Sequence, residues 1–289
     1  MPWIGSLNTN WSGYEEGKSV TSPSGQVFDL SWAKRSDRLV QLLLRDVRCS
    51  LLAVQECDTA MLDALCAKIK AAGGGLTAYV GGVNLPGPYS TVHHDKNAFL
   101  YDPSKWSWQD LVVHQLPDAD TAGNGLGTRT LLGADFTYAP SGEKVRAYTV
   151  HLVPANPEGR AIQAADMIRF MAGEACVLAG DLNAMSFRRD PLLPPEGQGP
   201  RVQLADAGWV EAPYQAYPHP TYNAYGRPGV GTARIDGVYL SPEAAINGLT
   251  FGESTTGPVA EIVPGLTPPS GPGSAYASDH EALRALVWF

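Results

Sequence analysis

Asp181 and Asn183 stand two residues apart at the end of an apolar run, Cys176-Val177-Leu178-Ala179-Gly180. Residues two apart in a strand share a face, so a carboxylate and a carboxamide point the same way. Other apolar runs end alike: Ser6-Leu7-Asn8, Ala53-Val54-Gln55-Glu56, Thr149-Val150-His151 and Arg234-Ile235-Asp236. A further pair, Asp279-His280, precedes the last apolar run. Desolvating a carboxylate is costly unless a cation or a hydrogen-bond donor meets it. Acids at the mouths of strands therefore ask for a charged ligand. Taken singly, each segment has a plainer explanation. Asp-x-Asn is commonly a turn, an acid at a strand end commonly caps a helix, and a lone histidine is commonly a satisfied core residue. Asp181 could open a calcium loop, but Ser186 stands where that loop needs glycine and Leu192 where it needs glutamate. It is the joint occurrence, in this order, that carries weight.

Strands and helices must position these groups. Residues 2–9 read as a short first strand. Residues 34–48 place Leu39, Leu42, Leu43 and Val47 at helical spacing with charges opposite. Residues 51–56 read as a buried strand, and 58–72 as a helix capped by Asp58 and ended by the glycines at 73–75. Strands are expected at 77–82, 97–102, 111–116, 129–138 and 145–153, with a hairpin around 139–144. A third helix over 158–172 has Ile162, Met167, Ile168 and Met171 as its apolar positions. The strand ending at Asp181 follows, then a Pro/Gly-rich loop at 190–200, strands at 234–240 and 283–289, and a long loop at 252–274. Strands and helices mix without a clean βαβ rhythm, which indicates an α+β fold with mixed or antiparallel sheets.

The chain has 289 residues, 44% of them hydrophobic, enough for one sizeable core. A single domain spanning 1–289 is expected. The formal net charge of −8 argues against charge-driven binding to nucleic acid, but not against an enzyme that meets phosphate through bound cations. The first residues have neither a basic nor an apolar leader segment, and no run is apolar enough to span a membrane. Cys49, Cys57, Cys66 and Cys176 lack paired C-x-x-C spacing and lie in or beside apolar segments. Free buried thiols in a reducing cytoplasm are the reading, with a monomeric protein.

The motifs together resemble those of the endonuclease/exonuclease/phosphatase superfamily of metal-dependent hydrolases. That pattern runs from an Asn on the first strand through Q-E, H-L, G-D-x-N and R-[IL]-D to S-D-H. This chain has Asn8, Gln55-Glu56, His151-Leu152, Gly180-Asp181-Leu182-Asn183, Arg234-Ile235-Asp236 and Ser278-Asp279-His280. The helix segment with Arg160 and Gln163, and Pro220-Thr221-Tyr222 before the R-I-D strand, also look like the family's. The resemblance implies a four-layered α/β/β/α sandwich of two packed mixed, largely antiparallel sheets. His151 resembles the deoxyribonuclease, sphingomyelinase and deadenylase branches more than the apurinic endonucleases.

The same resemblance implies Mg²⁺, or Mn²⁺, held by Glu56 with Asn8 and Asp279, as suits oxygen donors. It implies that Asp181 orients or deprotonates the attacking water and that Asn183 holds a phosphate oxygen or the nucleophile. His280 would contact the phosphate with Asp236 on its other nitrogen, and His151 would aid the leaving group with Asp95 or Asn97 as its partner. The implied reaction is in-line water attack on a phosphate ester, most simply a nuclease or other phosphodiesterase. The alternative is a phosphatase acting on a small metabolite or lipid head group. Arg188 and Arg189 could reach a nucleic-acid backbone or could be a solvated loop end. Trp11, Tyr14, Tyr222 and Tyr225 could stack on a ring or serve as packing. Gly180 is expected to let the backbone approach the substrate. Two positions depart from the family: Ser50 replaces an acid, with a structural role expected, and Gly237 replaces an aromatic, with a more open cleft floor expected. No GxSxG elbow, P-loop or HExxH motif occurs.

Overall fold

A computed structural model describes residues 2–10, 17–21, 27–82, 96–119, 129–154, 156–184, 189–212, 235–251, 260–263 and 282–288. The first half contains β1 (Trp3–Asn8), β2 (Ser19–Thr21), β3 (Val27–Asp29), α1 (Trp32–Leu42), β4 (Leu51–Gln55), α2 (Thr59–Ala71), β5 (Ala78–Gly81), β6 (Ala98–Tyr101), β7 (Trp106–Gln115) and β8 (Thr130–Tyr138). The second half contains β9 (Glu143–His151), α3 (Pro157–Phe170), β10 (Cys176–Asp181), α4 (Pro200–Asp206), β11 (Val210–Glu211), β12 (Asp236–Leu240), α5 (Pro242–Ile246), β13 (Thr250–Phe251), β14 (Ala260–Val263) and β15 (Ala282–Trp288).

Two sheets dominate. One runs β13-β15-β1-β4-β6-β5, with β14 also on β15; the other runs β11-β12-β10-β9-β8-β7. Only β1–β4 and β9–β10 pair in parallel among the described strands; the other pairs are antiparallel. Ile4, Leu51 and Phe99 of the first sheet pack with Leu132, Val177 and Val238 of the second in one shared core. On the outer side of the first sheet, Leu39 of α1 and Leu62 and Leu65 of α2 cover Leu7, Leu52 and Val54. On the outer side of the second, Met167 and Met171 cover Val150 and Leu178. The order of layers is therefore helix, sheet, sheet, helix. It explains why β4 and β10 read as unbroken apolar runs, since both of their faces are covered.

Asp58 caps α2 by accepting from the Met61 amide at 2.8 Å, and Gly73 leaves the helix at φ +78°. The expected helix over 34–48 begins earlier and ends in a π-helical turn, Leu43–Val47, closed by Arg48 at φ +50°. The strand expected at 111–116 begins at Trp106. The Pro/Gly-rich stretch at 190–200 instead contains a 3₁₀ turn, Pro195–Gly197, and leads into α4, where Pro200 occupies the first turn and needs no amide donor. The long loop expected at 252–274 is interrupted by β14, which has its partner in β15. Ile162 does not join the buried stripe of α3: it is 50% exposed, while Ala161, Gln163, Ala164 and Met167 are buried. All four cysteines are free and buried, as expected.

Candidate active site

Register assembles the site. Asp181 lies opposite His151 of β9 on one side and opposite Asp236 of β12 on the other. In the facing sheet, Asn8 lies opposite Gln55, with Glu56 next in the chain. Gln55 fastens the two sheets together, donating from Nε2 to the Thr149 hydroxyl at 2.9 Å. His151 is two residues past Thr149 on the same face, so this buried bridge aligns the ends of β4 and β9.

The strand ends are sharply turned. Asn10, Glu56 and Asn183 all have positive φ, at 52°, 53° and 49°. Left-handed backbone is uncommon for residues other than glycine and clusters at functional sites. Thr9 holds the turn after β4 by donating its hydroxyl to the carbonyls of Gln55 and Glu56. The Asn10 amide donates to Asn8 Oδ1 at 2.9 Å, which fixes the Asn8 carboxamide with its nitrogen facing the acids. That nitrogen donates to Glu56 Oε1 at 2.8 Å and to Asp181 Oδ2 at 3.1 Å. His151 Nε2 lies 3.5 Å from Asp181 Oδ2 and 3.9 Å from Glu56 Oε1. Two carboxylates from different sheets thus converge on one amide and one imidazole. Asp181 is 1% exposed at its side chain and Glu56 16%, so Glu56 is the acid open to the cleft.

Asp181 also accepts from the Asn183 amide through Oδ1 at 2.8 Å, an Asx turn. The Asn183 side chain donates to the Leu152 carbonyl at 2.8 Å, so part of its donor capacity holds the loop after β9 rather than a ligand. Arg160 and Gln163 grip the same loop: Arg160 Nη1 donates to the Val153 carbonyl at 3.0 Å, and Gln163 Oε1 accepts from the Val153 amide at 3.1 Å. Burial pulls the Arg160 guanidinium below its ordinary pKa, and the charge of Asp181 opposes that pull. Asn97 is buried at the start of β6 and donates to the Thr130 carbonyl at 2.8 Å; its oxygen meets no donor among the described residues.

Two buried arginines brace the site from behind. Arg35 donates to the carbonyls of Leu30, Thr9 and Asn10 at 2.8, 2.9 and 2.7 Å, which holds the turn that orients Asn8. Arg201 donates to the Ala184 carbonyl at 2.7 Å and the Asp236 carbonyl at 2.8 Å, and pairs with the Glu211 carboxylate. Neither stands out in the sequence. Arg35 precedes the buried Leu39 by one helical turn, and that spacing is its one signal; nothing in the sequence marks Arg201.

Two glycine expectations are corrected. A side chain at Gly180 would place its Cβ 2.2 Å from the Val150 carbonyl oxygen, so what the glycine admits is the neighbouring strand. A Cβ at Gly237 would meet the Tyr239 ring at 2.3 Å; that ring fills the space, and no opening of the cleft floor results. Ser50 has the structural role expected of it, accepting from Trp106 Nε1 at 2.9 Å. Arg189, one of the two arginines considered for a polyanion, is held by Asp206 in a two-point ion pair. Asp279, His280, Arg188, Asp95, Arg234, Trp11, Tyr14, Tyr222 and Tyr225 lie outside the described residues.

Residues 5–280 match the Endonuclease/Exonuclease/phosphatase family. No curated protein sequence matches the chain. Among solved structures, a mannosyl-6-phosphatase of Bacteroides thetaiotaomicron is similar in fold, with TM-score 0.70 and 15% identity over the full length of both chains. D. rerio TDP2 complexed with single strand DNA product gives TM-score 0.66 and 18% identity, covering 100% of this chain and 99% of that one. The human Nocturnin catalytic domain with bound sulfate anion gives 0.64 and 16%, covering 100% and 94%. At these identities the likeness is one of fold, whereas the family match spans nearly every element described above. The chain belongs to the endonuclease/exonuclease/phosphatase family and is a hydrolytic phosphoesterase.

Proposed function

We propose that the protein cleaves phosphate esters by in-line attack of water, assisted by a divalent cation, Mg²⁺ or Mn²⁺. The observation that carries this is the convergence of Glu56 and Asp181 on Asn8, with His151 facing both acids. The donor set fits such a cation. The acids offer hard oxygens. Mg²⁺ suits them, since it keeps several waters beside one or two carboxylates. Glu56, the more accessible of the two described acids, would hold the ion, with Asp279 as the second acid. Asn8 orients Glu56 through its carboxamide nitrogen, and its oxygen, which accepts from the Asn10 amide, has a second lone pair with which to help hold the ion directly or through water. When bound, the cation neutralises charge on the phosphoryl group.

The chain's own residues supply the rest. Asp181, buried and held by Asn8 and the Asn183 amide, aims the attacking water and takes its proton. His151 delivers a proton to the departing oxygen. Asn183 presents the second N–H of its side-chain amide to a phosphoryl oxygen, and His280 supported by Asp236 completes the charge stabilisation. As to substrate, the chain gives little to a polymer: Arg189 is occupied by Asp206 and the net charge is −8. A compact phosphate ester is favoured over a nucleic acid on this ground. The test is hydrolysis of generic mono- and diester substrates with Mg²⁺, beside Asp181→Ala and His280→Ala. Undiminished hydrolysis in either variant would refute the role assigned to that residue.

A further inference from the structure

Beside the acids lies a groove of about 960 Å³, near the upper end of the range of small-molecule sites. Its walls are mainly apolar: Ile162 from α3, Ala184, Leu193 and Pro194 from the segment after β10, Pro200 from α4, and Ile235 ahead of β12. Ile162 is 50% exposed and Leu193 47%. A branched aliphatic residue half-exposed on a helix and lining a groove together with a second half-exposed aliphatic side chain is not explained by core packing. Pro157 and Pro200, in the first turns of α3 and α4, add to the apolar lining. The polar side chains of the lining are those of Asn183, Arg160, Glu158 and Glu196.

These polar groups are unevenly placed. Asn183, two residues from Asp181 and joined to it by the Asx turn, lines the groove, and Arg160, which lines it too, holds the Val153 carbonyl two residues past His151. The groove thus shares Asn183 with the candidate active site. Glu158 and Glu196 contribute negative charge to its lining, which disfavours a polyanion running along it.

We propose that this groove seats the organic group of the substrate, and that this group is uncharged and largely apolar: an acyl or alkyl chain or a ring, attached to a phosphate held at the acids. The assignment rests on the phosphoesterase reading of the site and names its substrate class. It also gives Ile162 and Leu193 a function as specificity-determining residues.

The experiment uses the full chain with Mg²⁺ and has two arms. Equilibrium binding of methylphosphonate and octylphosphonate is measured, and cleavage of mono- and dialkyl phosphates with methyl, butyl and octyl chains is followed by phosphorus NMR. The octyl compound is expected to bind at least roughly tenfold tighter than the methyl compound, the worth of about two buried methylene groups. Ile162→Asp and Leu193→Asp, at half-exposed positions that tolerate charge, are expected to bring that ratio to about one, and Ile162→Val to retain most of it. Chain-length-dependent binding without cleavage of any ester would uphold the groove and refute the hydrolytic reading. Cleavage without any preference for longer chains, an octyl preference unchanged in both Asp variants, or tighter binding of a short oligonucleotide than of octylphosphonate would overturn the groove assignment.

Discussion

Arg201→Met tests how the site is held. The guanidinium is fully buried and bonds the carbonyls of Ala184 and Asp236 while pairing with Glu211. Each hydrogen bond from a charged donor contributes about 1.5–3 kcal/mol, and breaking a buried ion pair from one side costs about 3–5 kcal/mol, the two overlapping rather than adding. The expected loss is about 3–5 kcal/mol in urea unfolding, with a fall in Tm of roughly 10 °C. The double variant Arg201→Met with Glu211→Met removes the stranded carboxylate and should recover about 1–2 kcal/mol. It leaves the Ala184 and Asp236 carbonyls unheld, so it should not restore hydrolysis. Stability and kcat therefore part company in the double variant. An Arg201→Met protein within about 1 kcal/mol of the parent, or one with an unchanged kcat, would refute the bracing argument.

Four further outcomes are expected. Chelation with EDTA should abolish hydrolysis, with Mg²⁺ or Mn²⁺ restoring it, and Asp181→Asn should lower kcat on the order of 10²–10⁴-fold with little change in KM. Stability should fall in alkali: burial raises the thiols of Cys66 and Cys176 from 9.0 to about 11 and about 12. Above pH 9 the unfolded chain releases those protons while the folded chain keeps them, so Cys176 removes about 1.4 kcal/mol per pH unit until its folded value is reached, and the less enclosed Cys66 removes less. Urea midpoints at pH 8 and pH 10.5 measure this, and Cys176→Ala should flatten the slope. Gly180→Ala forces a carbon to within 2.2 Å of the Val150 carbonyl and should destabilise by several kcal/mol in thermal unfolding, more than Gly142→Ala, whose added Cβ meets nothing within 4 Å.

The layers and most of the central strands are legible in the sequence because burial on both faces leaves continuous apolar runs, and because the acids punctuate those runs. Asn8, Glu56, His151 and Asp181 can be grouped from sequence for the same reason. Short elements are not legible. The strand β14 takes its identity from pairing with β15, and α4 begins at a proline in a stretch that otherwise reads as turn. Ile162 departs from expectation because helical spacing alone cannot tell a core-facing stripe from a groove-facing one. Gly180 and Gly237 depart from it because their neighbours, Val150 and Tyr239, come from a strand pairing and a ring packing that local sequence does not record. Arg35 and Arg201 act on backbone carbonyls, and a carbonyl has no letter in the sequence.

The pairing of β1 with β15 sets the order in which this molecule can be built. Trp3 lies opposite Leu286 and Ser6 opposite Leu283, so β1 finds this partner only after every other described strand has been made. Until then β1 has β4 on one side and an open edge on the other. Asn8 sits on that waiting strand, and the Ser278-Asp279-His280 segment arrives just ahead of its late partner. Assembly of the site is thereby tied to the pairing of largest sequence separation among the described strands, the kind whose loop-closure entropy slows folding. A chain without β15 would carry the acids at the ends of β4 and β10 beside an unpaired edge of β1, leaving it exposed to edge-to-edge association rather than merely less active.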